Sequence, residues 1–227
     1  MARLIVTIDG PAASGKSTIA RMLAEKINAT FLDTGAMYRA ATVACLRAGV
    51  DLTSAYLVIE VLNNTQFEFI SAKNNMLVSI DGIDVTDQIR DPRVTTSVRY
   101  IAANAQARRA LIGLQRRFAE MHGRIVTEGR DQGTVAFPHA HVKFFLIADL
   151  DERARRRQSE MKTRGHEQAI EQISAAIEKR DKTDRERSSG PLKPADDAIT
   201  IDSTEMKPSQ VVDLMLAHVN EKCPDKK

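Results

Sequence analysis

Gly10-Pro11-Ala12-Ala13-Ser14-Gly15-Lys16-Ser17-Thr18 is the stretch that decides the fold. It fits Gly-x4-Gly-Lys-Ser/Thr at every fixed position. A mostly β-branched run, Leu4-Ile5-Val6-Thr7-Ile8, precedes it, and Ile19, Met22, Leu23 and Ile27 follow at three- and four-residue spacing. Strand, glycine loop and amphipathic helix in that order are the context the pattern needs. The glycines let backbone bend and approach phosphate closely, so that successive N–H groups form an anion nest. The helix start adds its positive end beneath the phosphates. Lys16 is expected to reach the β- and γ-phosphates, and the Ser17 hydroxyl to ligate Mg²⁺. A glycine-containing turn with an ordinary surface lysine is the plain alternative, and the flanking strand and helix count against it. Residues 10–18 are expected to bind a nucleoside triphosphate.

Outward from this loop the chain alternates strands and helices. Residues 36–48 read as a helix rich in Ala, and helical texture returns over 94–120. Strands are expected at 124–127, 142–147 and 198–201, charged helices over 151–180, and a last helix over 208–220. Asp149 and Glu152 have the N-cap and N3 spacing of a helix start. Alternating strands and helices imply a parallel sheet covered on both faces, an α/β class. One region breaks the rhythm. Phe67-Glu68-Phe69, Leu77-Val78-Ser79-Ile80 and Ile83-Asp84-Val85 are short runs separated by the turn formers Asn74-Asn75 and Asp81-Gly82, so a small antiparallel meander is inserted at 65–86.

The chain has 227 residues, 43% hydrophobic and 28% charged, enough for a packed core and unlike a disordered, collagenous or disulfide scaffold. No uncharged apolar run exceeds the five residues of Phe144-Phe145-Leu146-Ile147-Ala148, far short of a membrane span, and Leu4-Ile5-Val6 meets Asp9 too early for a secretory signal. A cytoplasmic protein, with no membrane partner, is expected. Cys45 and Cys223 make no redox or ligand spacing, and neither do the histidines, His139 and His141 included. The net charge of +3 is mild, and with no Trp and three Tyr there are few surfaces for stacking bases, so no nucleic-acid partner is expected. Residues 151–190 carry 11 Lys/Arg and 9 Asp/Glu, which reads first as a solvated helix face.

A GTPase switch would need Asp-x-x-Gly, which is absent, and the nearest guanine-type stretch, Asp181-Lys182-Thr183-Asp184, has the wrong first residue. A motor would want an apolar strand ending in an acid, but Asp149 at the end of 144–149 is better explained as a helix cap. A small-molecule kinase remains. Asp33-Thr34-Gly35-Ala36-Met37-Tyr38-Arg39 and Glu128-Gly129-Arg130-Asp131 each follow a strand, at the sheet edge where open α/β sheets bind ligands. Arg180-Asp181-Lys182-Thr183-Asp184-Arg185-Glu186-Arg187 closes the charged segment. Moving a phosphoryl group onto another phosphate gathers many negative charges, which several arginines would offset.

The stretches TIDGPAASGKST, DTGAMYR, TEGRDQGTVAFP and EKRDKTDRER, in this order, resemble the bacterial cytidylate kinase family, among the adenylate-kinase-like nucleoside monophosphate kinases. The resemblance runs nearly end to end. It implies a P-loop five-stranded parallel sheet flanked by helices, a small antiparallel monophosphate-binding insert at 35–93 and a helical lid over about 153–190, within one domain of 1–227. It implies phosphoryl transfer from ATP to CMP, with dCMP as a second acceptor, by a monomer using Mg²⁺. Carried over residue by residue, Thr34 and Arg39 meet the acceptor, Arg130 grips its phosphate, and Asp131 accepts from the cytosine amino group. Arg108 and Arg187 lie near the pyrimidine edge, Arg180 and Asp184 hold sugar and phosphate, and Arg156 contacts ATP. Lys16, Arg130, Arg156 and Arg180 form the catalytic set, and Glu128 orients magnesium waters. Arg99 stands where the family often has a serine, with Ser97 nearby. A P-loop kinase for another nucleotide, shikimate or a sugar acid, or a non-catalytic ATP-binding module, are the competing readings.

Overall fold

The computed structural model describes residues 3–72, 76–163, 165 and 167–223. Eight strands and eight α-helices are assigned among them. Five strands make one parallel sheet: β1 (Leu4–Asp9), β2 (Thr30–Asp33), β6 (Arg124–Gly129), β7 (Val142–Ile147) and β8 (Ile199–Asp202), in the order β2-β6-β1-β7-β8. All six residues of β1 are buried, as a central strand covered on both faces requires. Its register against β6 runs from Leu4↔Arg124 to Asp9↔Gly129, so both strands end level. The segments that follow them, residues 10–17 and 130–131, therefore leave the sheet side by side.

The chain divides into two compact units, residues 1–30 with 123–227, and residues 31–122. In the first, α1 (Lys16–Lys26) buries Ile19, Ala20, Leu23 and Ala24 and packs on β6 and α8 (Pro208–Lys222). Helices α6 (Leu150–Thr163) and α7 (Ile170–Glu186) pair, with Ala154, Ile173 and Ile177 closing on Ala12 of the glycine loop. Asp149 stands at the start of α6, where its carbonyl accepts the Arg153 N–H at 3.0 Å.

In the second unit, α2 (Thr34–Arg47) buries a face of small residues, including Ala36, Ala40, Ala41 and Ala44, and packs on α3 (Ala55–Asn64) and α4 (Pro92–Ala103). The expected meander is present as β3 (Phe67–Ser71), β4 (Met76–Ile80) and β5 (Ile83–Asp84), antiparallel throughout. Asp81 (φ 51°) and Gly82 (φ 76°) form its tight turn, both in the left-handed region such a turn demands. The Asn74-Asn75 turn lies outside the described residues. The helical texture expected over 94–120 is present as two helices: α4 ends at Ala103, and α5 (Ala105–His122) starts after Asn104, whose Oδ1 accepts the N–H groups of Gln106 and Ala107. Helix α3 has no counterpart among the sequence expectations: Val58, Ile59 and Val61 are β-branched residues that favour strands.

Candidate active site

Every conformational demand of the glycine loop is visible in its backbone. Gly10 takes φ 154°, and a Cβ there would lie 2.1 Å from the carbonyl oxygen of Leu146 in β7. Gly15 takes φ 88° and caps α1. Ala13, with a side chain, also holds a positive φ of 60°, a conformation that costs about 1 kcal/mol for a non-glycine residue.

Lys16 is the first residue of α1 and is only 5% exposed. Its ammonium donates to the Pro11 carbonyl at 2.5 Å and to Ser14 Oγ at 3.2 Å, within its own loop. Burial, with Arg130 and Arg180 nearby, outweighs Glu128 and Asp9 and pushes the Lys16 pKa down to about 7. Ser17 Oγ donates to Glu128 Oε1 at 3.0 Å. That contact brings the expected metal-side hydroxyl from α1 against the carboxylate at the end of β6. Thr18 is exposed on α1.

The arginine cluster is built on the segment after β6 and the end of α7. Arg130 Nε donates to Asp184 Oδ2 at 2.8 Å, and Nη1 to the Gly129 carbonyl at 3.1 Å. Burial works against the Arg130 charge, but Asp184, Glu128 and Asp181 outweigh it and raise its pKa. Asp184 is pushed upward by burial but ends below the ordinary carboxylate value, because Arg130, Arg180 and Arg187 surround it. Arg187 Nη1 lies 3.5 Å from Asp184 Oδ1, and its Nη2 lies 3.9 Å from Asp131 Oδ1. Arg130, Asp131, Asp184 and Arg187 are thus one connected group, and Arg180, exposed on α7, adds its charge to it. Arg185, between the matched positions, is exposed.

Arg156 reaches the loop from α6: its Nη1 lies 3.4 Å from the Ser14 carbonyl, and Nη2 donates to the Ser203 carbonyl at 2.6 Å. In the second unit, Asp33 caps α2 by accepting the Ala36 N–H at 2.8 Å, and Arg39 lies on it at 3.5 Å. Thr34 is buried at the first turn of α2. Arg108 is 2% exposed, with its guanidinium 5.8 Å from the Tyr38 ring centre. Arg99 instead lies exposed on α4, 4.9 Å above the Tyr100 ring and donating to its hydroxyl.

Three supporting residues have no role in the sequence reading, although Asp9 and Asp181 lie inside its quoted stretches. Asp9, at the end of β1, accepts the N–H groups of Gln132 and Gly133 at 2.9 and 2.7 Å and so anchors the segment beyond Asp131. Arg153 and Asp181 meet on Ala12 of the loop. Only the position of Asp9, immediately before Gly10, could have drawn attention to it. The arrangement offers an anion nest with a desolvated cation, an oxygen pair suited to a hard divalent ion, and a second cationic cluster beside them.

The cytidylate kinase family model matches residues 6–221 of this chain. Similar curated proteins include a cytidylate kinase of Anoxybacillus flavithermus, 42% identical over 220 residues with 97% of each chain covered. Another, from Bacillus cereus, is 41% identical over 218 residues with 96% of each covered. Among solved structures, the chain is similar to a shikimate kinase from Bacteroides thetaiotaomicron, 12% identical with a TM-score of 0.48, over 97% of this chain and 98% of that one.

Proposed function

The chain belongs to the cytidylate kinase family, and we propose how its residues carry out the phosphorylation of CMP by ATP. ATP and CMP are converted to ADP and CDP, and dCMP serves as a second acceptor. The observation that carries the assignment of roles is the level ending of β1 and β6, which sets the glycine loop beside Arg130 and Asp131.

Residues 10–18 wrap the ATP phosphates, and Arg156 contacts ATP from α6. The Ser17 and Glu128 oxygens, 3.0 Å apart, fit a magnesium ion: Ser17 would ligate it and Glu128 hold its waters. When bound there, Mg²⁺ neutralises phosphate charge. Arg130 and Arg180 hold the acceptor phosphate, Asp184 its ribose, and Asp131 and Arg187 its base; Thr34, Arg39 and Arg108 serve the same acceptor. Residues 35–93 act as the monophosphate-binding insert and about 153–190 as the lid that excludes water. The attacking oxygen of CMP is already anionic at neutral pH, so catalysis consists of in-line positioning and charge stabilisation by Lys16 and the arginines.

An ionised Asp131 can only accept hydrogen bonds, which favours the cytosine amino group over the uracil carbonyl at the same place. Arg99 is engaged with Tyr100, which supports leaving base choice to Asp131. A coupled ADP-release assay across CMP, dCMP, UMP, AMP, shikimate and gluconate tests the assignment. CMP and dCMP should turn over best, and Asp131→Asn should cut the CMP-over-UMP ratio of kcat/KM by at least about tenfold, while Arg99→Ser leaves it within about twofold. Preference for another acceptor, or an unaltered ratio in Asp131→Asn, would refute it.

A further inference from the structure

Against Ala12 of the glycine loop, two opposite charges are buried where the reaction as described does not use them. Arg153 of α6 is 6% exposed and Asp181 of α7 is 1% exposed. Arg153 Nη1 donates to Asp181 Oδ2 at 2.5 Å. A staple between two helices would need no more than that. Both side chains, however, also reach backbone. Asp181 Oδ1 accepts the Ala12 N–H at 2.8 Å, Arg153 Nη1 donates to the Ala12 carbonyl at 2.9 Å, and Arg153 Nε to the Ala148 carbonyl at 2.9 Å. Ala12 is thus gripped at its donor and its acceptor by one ion pair.

The consequence follows from peptide planarity. The described chain has no cis peptide bond, and in a trans peptide the N–H and C=O point in opposite directions. Drawing the Ala12 N–H to Asp181 turns the Pro11 carbonyl the other way, and that carbonyl receives the Lys16 ammonium at 2.5 Å. Drawing the Ala12 carbonyl to Arg153 turns the Ala13 N–H away from α6. It also holds the peptide that enters Ala13, whose φ of 60° is strained. Ala12 itself packs on Ala154, Ile173 and Ile177, so apolar contact and ion pair load the same residue.

We infer that Arg153 and Asp181 are positioning residues for phosphoryl transfer: from α6 and α7 they set two peptides of the glycine loop and, through the Pro11 carbonyl, the seat of Lys16. The inference rests on the reading of this loop as the ATP site. It makes the charged helices part of the phosphate-binding apparatus, since a shift of either helix is passed to the loop through Ala12.

The test uses the full chain with three replacements. Asp181→Asn keeps an acceptor for the Ala12 N–H but sets an amide donor against Arg153. Arg153→Lys keeps the charge but cannot make the same fork of contacts. The double replacement Arg153→Met with Asp181→Leu removes both charges together, which buried pairs often tolerate without loss of stability. Kinetics with ATP and CMP, calorimetric affinities for each nucleotide, and melting temperature are measured for all three. The expected result is a chain that stays folded at the assay temperature but melts below the wild type, because the Ala12 and Ala148 backbone groups lose partners. Its kcat falls by about 10- to 100-fold and its ATP affinity weakens, while CMP affinity stays within about twofold. A double variant with wild-type kinetics, or variants that lose ATP and CMP affinity alike, would overturn the inference. Three variants that all unfold would assign the pair to folding and overturn it too. Absence of transfer in the wild type would instead count against the reaction, with ATP affinity still judging the pair.

Discussion

Lys16 is a cation buried close to two others, Arg130 and Arg180, and burial is the largest of the influences that hold its pKa at about 7. Anionic phosphate is what such a group lacks. Bound phosphates favour the charged ammonium, so the pKa must rise on binding. At pH 8 the free chain therefore has Lys16 largely neutral, and ATP binding should take up roughly one proton. Calorimetry in Tris and in HEPES at pH 8 measures this from the difference in apparent enthalpy, with Lys16→Arg, always charged, as the control. Equal apparent enthalpies after correction for binding alone, or uptake persisting in the control, would show that Lys16 is not the group responding.

Elements matter here mostly through their ends. Strands β1 and β6 finish level, α1 starts at the lysine, and α7 finishes at the arginine cluster. The break between α4 and α5 belongs to the same class of feature. A continuous amphipathic pattern over 94–120 would extend as one helix, but Asn104 leaves the helical region (ψ 111°) and its side chain takes the first donors of α5. Ser, Thr, Asn and Asp in that role are worth about 1 kcal/mol. Asn104→Ala should lower unfolding free energy by about that amount in urea titrations, whereas Asn104→Asp should retain most of it. If both variants match the wild type, the cap contributes nothing and the break must come from packing of α4 and α5 alone.

At the scale of the whole molecule, one buried carboxylate links folding to pH. Burial raises the Asp9 pKa from 3.8 to about 6, against the pull of the Gly133 and Gln132 N–H groups. The folded chain thus holds this proton more tightly than the unfolded one. Its contribution to stability is fully present below pH 3.8 and is lost as pH rises through 6. Asp184, held below its ordinary value, runs the opposite way, and its contribution is lost as pH falls. Comparing Asp9→Asn with the wild type isolates the first effect. The variant is destabilised at both pH values, because an amide offers a donor where two N–H groups already point. The gap should nonetheless be about 2 kcal/mol larger at pH 4.5 than at pH 7.5 in urea unfolding. A gap independent of pH would mean that Asp9 titrates alike in both states.

What the sequence by itself determined is the chemistry that lives in short range. The glycine loop between strand and helix, the meander with its Asp81-Gly82 turn, and the order of strands and helices apart from α3 could be read from neighbours within a few residues. Spacing and backbone freedom are local properties, and the resemblance of four short stretches extended them to a family. What only the tertiary structure decided is which of many similar charges are desolvated, and against what. Arg153 and Arg155 sit two residues apart in one charged run, yet their side chains are 8% and 63% exposed. Asp181 reads as one acid among several, and its partner Ala12 lies 169 residues away. Asp9 reaches Gln132 and Gly133 across 123 and 124 residues. A charge costs little in water and a great deal when buried without partners, so its role depends on an environment assembled by strand order and helix packing. Composition carries no trace of that environment, which exists only once distant segments are brought together.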